Sequence, residues 1–80
     1  MSSFVRYVLK FKDEDDHYGD VARMILRDRN VNRRWSHRQL SRYAYLQQAD
    51  QGVFDVIDEL ARNYQLALEI REWERRERWT

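Results

Sequence analysis

Residues 50–68, DQGVFDVIDELARNYQLAL, decide the fold. Val53, Phe54, Ile57, Leu60, Ala61, Tyr64 and Leu68 return at a helical period of about 3.6 residues, with no breaker among them. Asp50 is placed to cap this helix, and Gly52 falls in its first turn. The helical pattern continues to about Arg78, so the spacing predicts one long terminal helix. At about 100° per residue, Leu66, Ile70 and Trp73 fall opposite the Val53–Ile57–Tyr64 stripe. A second apolar face on a terminal helix needs cover, from a fold-back or from another chain. Glu69 with Trp73, Glu72 with Arg76 and Glu74 with Arg78 stand four residues apart, and the last two pairs support an exposed helix. The seam is much shorter than the three or four heptads that mark a coiled coil. A homodimer or another protein partner is therefore one expectation for this face.

Upstream of Asp50 the chain divides into three shorter helices. Ser36 followed by Gln39 has the form of a capping box, which starts a helix there. In it Leu40, Tyr43, Ala44 and Gln47 face one way, and Arg38, Arg42 and Tyr45 the other. Asn30 to Trp35, NVNRRW, reads as a loop, with Trp35 half-buried where the helix begins. A helix from about Tyr18 to Arg29 turns Tyr18, Val21, Ala22 and Ile25 inward, while Arg23 and Arg27 project roughly opposite. Lys12 to Asp16, KDEDD, is an acidic break whose last acids suit the positive end of that helix. Residues 3–11 form the first helix, with Phe4, Val8 and Phe11 on one stripe and so little polar face that it must be central and buried. Tyr43 and Tyr64 are core by position.

Composition agrees with this outline. Eighty residues with 36% charged side chains, two glycines and no proline make one small helical domain with short polar connections. The chain has no cysteine, which rules out disulfides and thiolate metal sites and fits a reducing cytoplasm. Apolar runs are short and broken by charge, which excludes a membrane span and a signal peptide. No glycine-rich phosphate loop and no calcium-binding frame is present. His17 and His37 are the only histidines, and Ser36–His37 are chain neighbours rather than members of a catalytic triad. Neither an enzyme nor a cofactor or metal site is expected.

Charge is segregated to a degree that composition alone hides. The formal net charge is +1, yet residues 12–20 carry −4, residues 21–49 carry +6 and residues 50–62 carry −3. Arginine outnumbers lysine thirteen to two. Guanidinium forks match phosphate oxygens in bidentate geometry, and a concentrated positive block points to a polyanion, of which nucleic acid is the commonest. The candidate contacts are Arg23, Arg27, Arg33, Arg34, Arg38 and Arg42, with Trp35 and Tyr45 available to stack on bases. DNA or RNA is thus the first expected partner. The rival expectation is that these arginines pair with the acids at 13–20 and 50–59. The 30–35 loop exceeds the three- or four-residue turn of a helix-turn-helix, so sequence-specific groove reading is not expected.

Three segments resemble the YozE-like proteins, a family of short cytoplasmic, mainly Gram-positive bacterial proteins. They are SFVRYVLKF, YGDVARMILRD and LSRYAYLQQADQGVFDVIDELARNY. The residues that carry the likeness are Ser3, Phe4 and Tyr7, then Leu40, Ser41 and Tyr43, then Ile57, Asp58, Glu59 and Tyr64. The family's Ser-Phe-Pro-Lys loop is replaced by Asn30-Val31-Asn32-Arg33, and its last-helix tryptophan by Ala61. The resemblance implies a four-helix fold like the sterile alpha motif over residues 1–64, with residues 65–80 as an extension of the last helix. It implies no activity. The expectation for the whole chain is an all-α binding module of the bacterial cytoplasm.

Overall fold

Four helices make up the fold in a computed structural model that describes the backbone of residues 3–77 and the side chains of residues 3–71. In chain order they are α1 (Phe4–Leu9), α2 (His17–Arg27), α3 (His37–Leu46) and α4 (Gln51–Glu77), with no strand among the described residues. The protein is all-α, as its sequence predicts.

Short side chains set where the helices begin. Ser3 Oγ caps α1 by accepting the Arg6 N–H at 3.3 Å, and it donates to the Arg33 carbonyl of the distant loop. Asp16, the last acid of the KDEDD break, caps α2 by accepting the Gly19 N–H at 3.0 Å. At α3 the capping box is complete: Ser36 Oγ accepts the Gln39 N–H, and Gln39 Oε1 accepts the Ser36 N–H. Asp50 immediately precedes α4, but only its carbonyl takes part, accepting the Val53 N–H at 3.0 Å; the expected side-chain cap is not made among the described residues.

The ends of α1 and α2 depart from the sequence expectation, each for a local reason. α1 stops at Leu9 rather than residue 11, because Lys10, Phe11 and Lys12 bond three residues back, to Tyr7, Val8 and Leu9, in tight single turns. α2 stops at Arg27 rather than Arg29. Asp28 leaves helical geometry there, and its carboxylate serves the loop and α3 instead, accepting the Asn30 N–H at 2.9 Å and the Tyr43 hydroxyl at 2.7 Å. α3 ends with Gln48 in the left-handed region at φ 56°. The Ala49 N–H reaches the Ala44 carbonyl and the Gln48 N–H the Tyr45 carbonyl, a Schellman ending with glutamine where glycine is usual. Gln47, expected to face inward, is exposed at this ending.

All four helices supply the core. Phe4, Val5, Val8, Val21, Ala22, Leu40, Ala44, Ile57 and Leu60 are buried, with Val5, Val8 and Leu60 fully inaccessible. α4 packs on each of the other helices and α1 on both α2 and α3, whereas the backbones of α2 and α3 stay apart and meet only through side chains. An aromatic chain lines one side: Tyr64 meets Phe4 at 5.7 Å and Tyr7 at 5.0 Å, and Phe11 links Tyr7 to Tyr18.

α4 outruns this body. Its 27 residues span about 40 Å, close to the 48 Å long dimension of the molecule. Leu68, the last member of the expected core stripe, is therefore 39% exposed, because no shorter helix reaches it. Leu66 and Ile70, on the second face, are 55% and 57% exposed. Trp73 is within α4, but its side chain and the pairs it, Glu72 and Glu74 would make lie outside the described residues.

Candidate polyanion-binding surface

The structure sorts the arginines of the basic block into two groups. Arg23 is committed to its own chain: Nη1 donates to the carbonyls of Lys12 at 2.8 Å and Glu14 at 3.0 Å, while Nη2 meets Asp20 Oδ1 at 2.7 Å. It clamps the acidic turn onto α2. Arg27 is exposed, with Nε on the Arg23 carbonyl at 3.2 Å. The rival expectation, pairing with the acids of 13–20, thus holds for Arg23.

The second group lies on the loop and α3. Arg38, Arg42 and Tyr45 recur at helical spacing on the solvent face of α3, and all three are exposed, Tyr45 by 75%. Arg33 and Arg34 precede this helix and are exposed as well. None of these four guanidinium groups has a hydrogen bond or ion pair among the described residues. The backbones of α2 and α3 do not approach each other closely, and no contact joins Arg23 or Arg27 to Arg38 or Arg42 among the described residues.

The loop that presents Arg33 and Arg34 is stitched down, not slack. Asn32 Oδ1 accepts the Arg34 N–H at 2.8 Å, the Trp35 carbonyl accepts the Val5 N–H at 3.3 Å, and Ser3 holds the Arg33 carbonyl. Trp35 is half-buried, its ring 5.3 Å from that of Tyr43, so it braces the loop against α3. One face of its indole is thereby taken up by packing.

His37 also points into the fold's framework. Its Nε2 lies 3.0 Å from Asp58 Oδ1 on α4, and its ring meets Phe4 edge-on at 5.4 Å. Ser36 Oγ beside it is occupied by the cap. Among the described residues no group of three or more histidine or acidic side chains is placed to hold a metal ion, and no helix is long and apolar enough to cross a membrane. The His37–Asp58 and Tyr43–Asp28 links join residues 21 and 15 apart, and no local pattern signals them.

Two buried-edge phenols tie helices together and make stability depend on alkaline pH. Tyr18 donates to Glu59 and Tyr43 to Asp28; each hydrogen bond to a carboxylate, with burial adding to it, raises the phenol above its ordinary value of 10.0. The unfolded chain therefore releases these protons first. Their contribution is fully present below pH 10, and it is lost as pH rises through the higher folded values. Urea midpoints should fall above about pH 10. In a Tyr18→Phe/Tyr43→Phe variant that fall should be shallower, while an unchanged slope would assign it to other groups.

This chain matches no family model, no curated protein and no solved structure.

Proposed function

We propose that this protein is a non-enzymatic binding module of the bacterial cytoplasm that binds nucleic acid electrostatically through α3 and the loop before it. The observation that carries this reading is the set of four exposed guanidinium groups, Arg33, Arg34, Arg38 and Arg42, without partners among the described residues and beside the exposed ring of Tyr45. A solvated protein surface normally disperses like charges, whereas α3 carries Arg38 and Arg42 one turn apart on its solvent face and the loop before it adds Arg33 and Arg34. Phosphates would be held by the guanidinium forks, and an unpaired base would stack on Tyr45. The test is a fluorescence-anisotropy titration of single- and double-stranded DNA and RNA at two salt concentrations, with and without Arg38→Glu/Arg42→Glu.

We also propose that the fold is of the YozE-like, sterile-alpha-motif-like type. The residues that carry the likeness serve the framework here: Ser3 caps α1, Phe4, Leu40 and Ile57 are buried, and Tyr7 packs on Tyr64.

Exposed Leu66, Leu68 and Ile70 favour a second reading, in which the projecting end of α4 is a protein interface. Under it, sedimentation should show the full chain associating with concentration. A chain truncated after Tyr64, which retains every buried core residue among the described residues, should remain monomeric. A concentration-independent monomeric mass for each chain would remove self-association through this face.

A further inference from the structure

The two acidic blocks, separate in sequence, face each other across one cleft. α2 and the first half of α4 enclose a groove of about 550 Å³. Its floor is apolar: Val21 is buried, Val53 and Val56 are half-buried, and Met24 at the lip is 49% exposed. Around that floor stand Asp16 and Asp20 from one block and Asp50, Asp55 and Glu59 from the other, with no lysine or arginine among the lining residues. Arg23 offsets one of the five, through Asp20. Asp50 has no side-chain partner among the described residues, and Asp16, Asp55 and Glu59 each engage a single neutral donor, leaving their negative charge uncompensated.

We infer that this cleft binds a cationic amphipathic segment of a partner protein, lysine- or arginine-bearing with an aliphatic anchor. Two features select that chemistry. The carboxylates are spread around the groove, and no three of the described acidic or histidine side chains gather closely enough for a metal ion, so the matching charge is distributed along a chain rather than concentrated in one ion. Methionine and valine between the acids match an aliphatic side chain, which a fully polar polycation lacks. The cationic arms would reach the rim while the anchor displaces water from Met24, Val53 and Val56. This site is distinct from the arginine face of α3 and stands whether or not that face binds nucleic acid.

The test uses the full chain and a fluorescein-labelled peptide with leucine and lysine at helical spacing, beside counterparts with glutamate for lysine and with serine for leucine. The lysine–leucine peptide should bind saturably and the other two should not. Asp50→Asn/Asp55→Asn, which keeps side-chain shape and the oxygen that Gln51 donates to, should weaken binding about tenfold or more by removing two rim charges. Met24→Ser should weaken it without touching charge, and its exposed position makes it tolerable to the fold. No binding, equal binding of the lysine–serine peptide, or indifference to both variants would overturn the proposal. So would concentration-dependent dimerisation abolished by Asp50→Asn/Asp55→Asn, because the cleft's occupant would then be a second copy of this chain.

Discussion

Arg38→Glu/Arg42→Glu is expected to weaken nucleic-acid binding by about 100-fold at low salt while leaving the helical spectrum unchanged. Both side chains are exposed and make no hydrogen bond or ion pair among the described residues, so their replacement removes nothing that holds the fold. If each contacts one phosphate of a duplex, the slope of log K against log salt should also fall by about 1.8, twice the contribution of about 0.9 per neutralised phosphate. Glutamate adds repulsion to the lost attraction, so the reversal should exceed a double alanine change. Binding that survives the reversal at full strength would place the polyanion site elsewhere or remove it.

The same experiment separates a binding arginine from a structural one. Arg23→Ala deletes contacts to Lys12, Glu14 and Asp20, and its main effect should be on the acidic turn rather than on affinity. Net charge falls by one in Arg23→Ala, and the two variants together test whether position or total charge governs binding. A purely non-specific charge effect would scale with the charge removed; a surface site would respond to Arg38 and Arg42 far more than to Arg23.

Why these arginines look alike in sequence and differ in the fold follows from where the turn passes. Helical spacing places Arg23 and Arg27 away from the core, which is correct, but it contains nothing about residues 12–14 folding back beneath Arg23. The start of α3 was fully legible because its signal is local: Ser36 and Gln39 satisfy each other within one turn. The α3 ending was not, because glutamine at position 48 occupies a left-handed conformation more usual for glycine or asparagine. The core stripe of α4 was legible up to Tyr64 and misleading at Leu68, since periodicity says which way a residue faces and not whether a neighbour stands there. The acidic blocks were countable, but only packing of α2 on α4 sets them around one groove.

The two glycines give the sharpest test of that packing, because the same substitution should have opposite effects at each. Gly52 lies in the first turn of α4, and a Cβ there meets nothing within 4 Å. Gly52→Ala should therefore stabilise the protein by about 0.5–1 kcal/mol, the usual helical preference for alanine. Gly19 likewise lies in the first turn of α2, yet a Cβ there would overlap the carbonyl oxygen of Glu14. That oxygen is backbone, and it is held in place by Arg23 Nη1 at 3.0 Å, while the Glu14 N–H is fixed on the Phe11 carbonyl at 3.0 Å. The turn cannot yield without giving up the Arg23 clamp. Gly19→Ala should accordingly destabilise by about 2–3 kcal/mol despite alanine's better helix propensity. A domain of this size has total stability of only about 4–12 kcal/mol, so the change should appear as a large drop in urea midpoint. A rise in midpoint for Gly19→Ala would mean that the acidic turn does not lie against α2, and the Arg23 clamp would have to be abandoned with it.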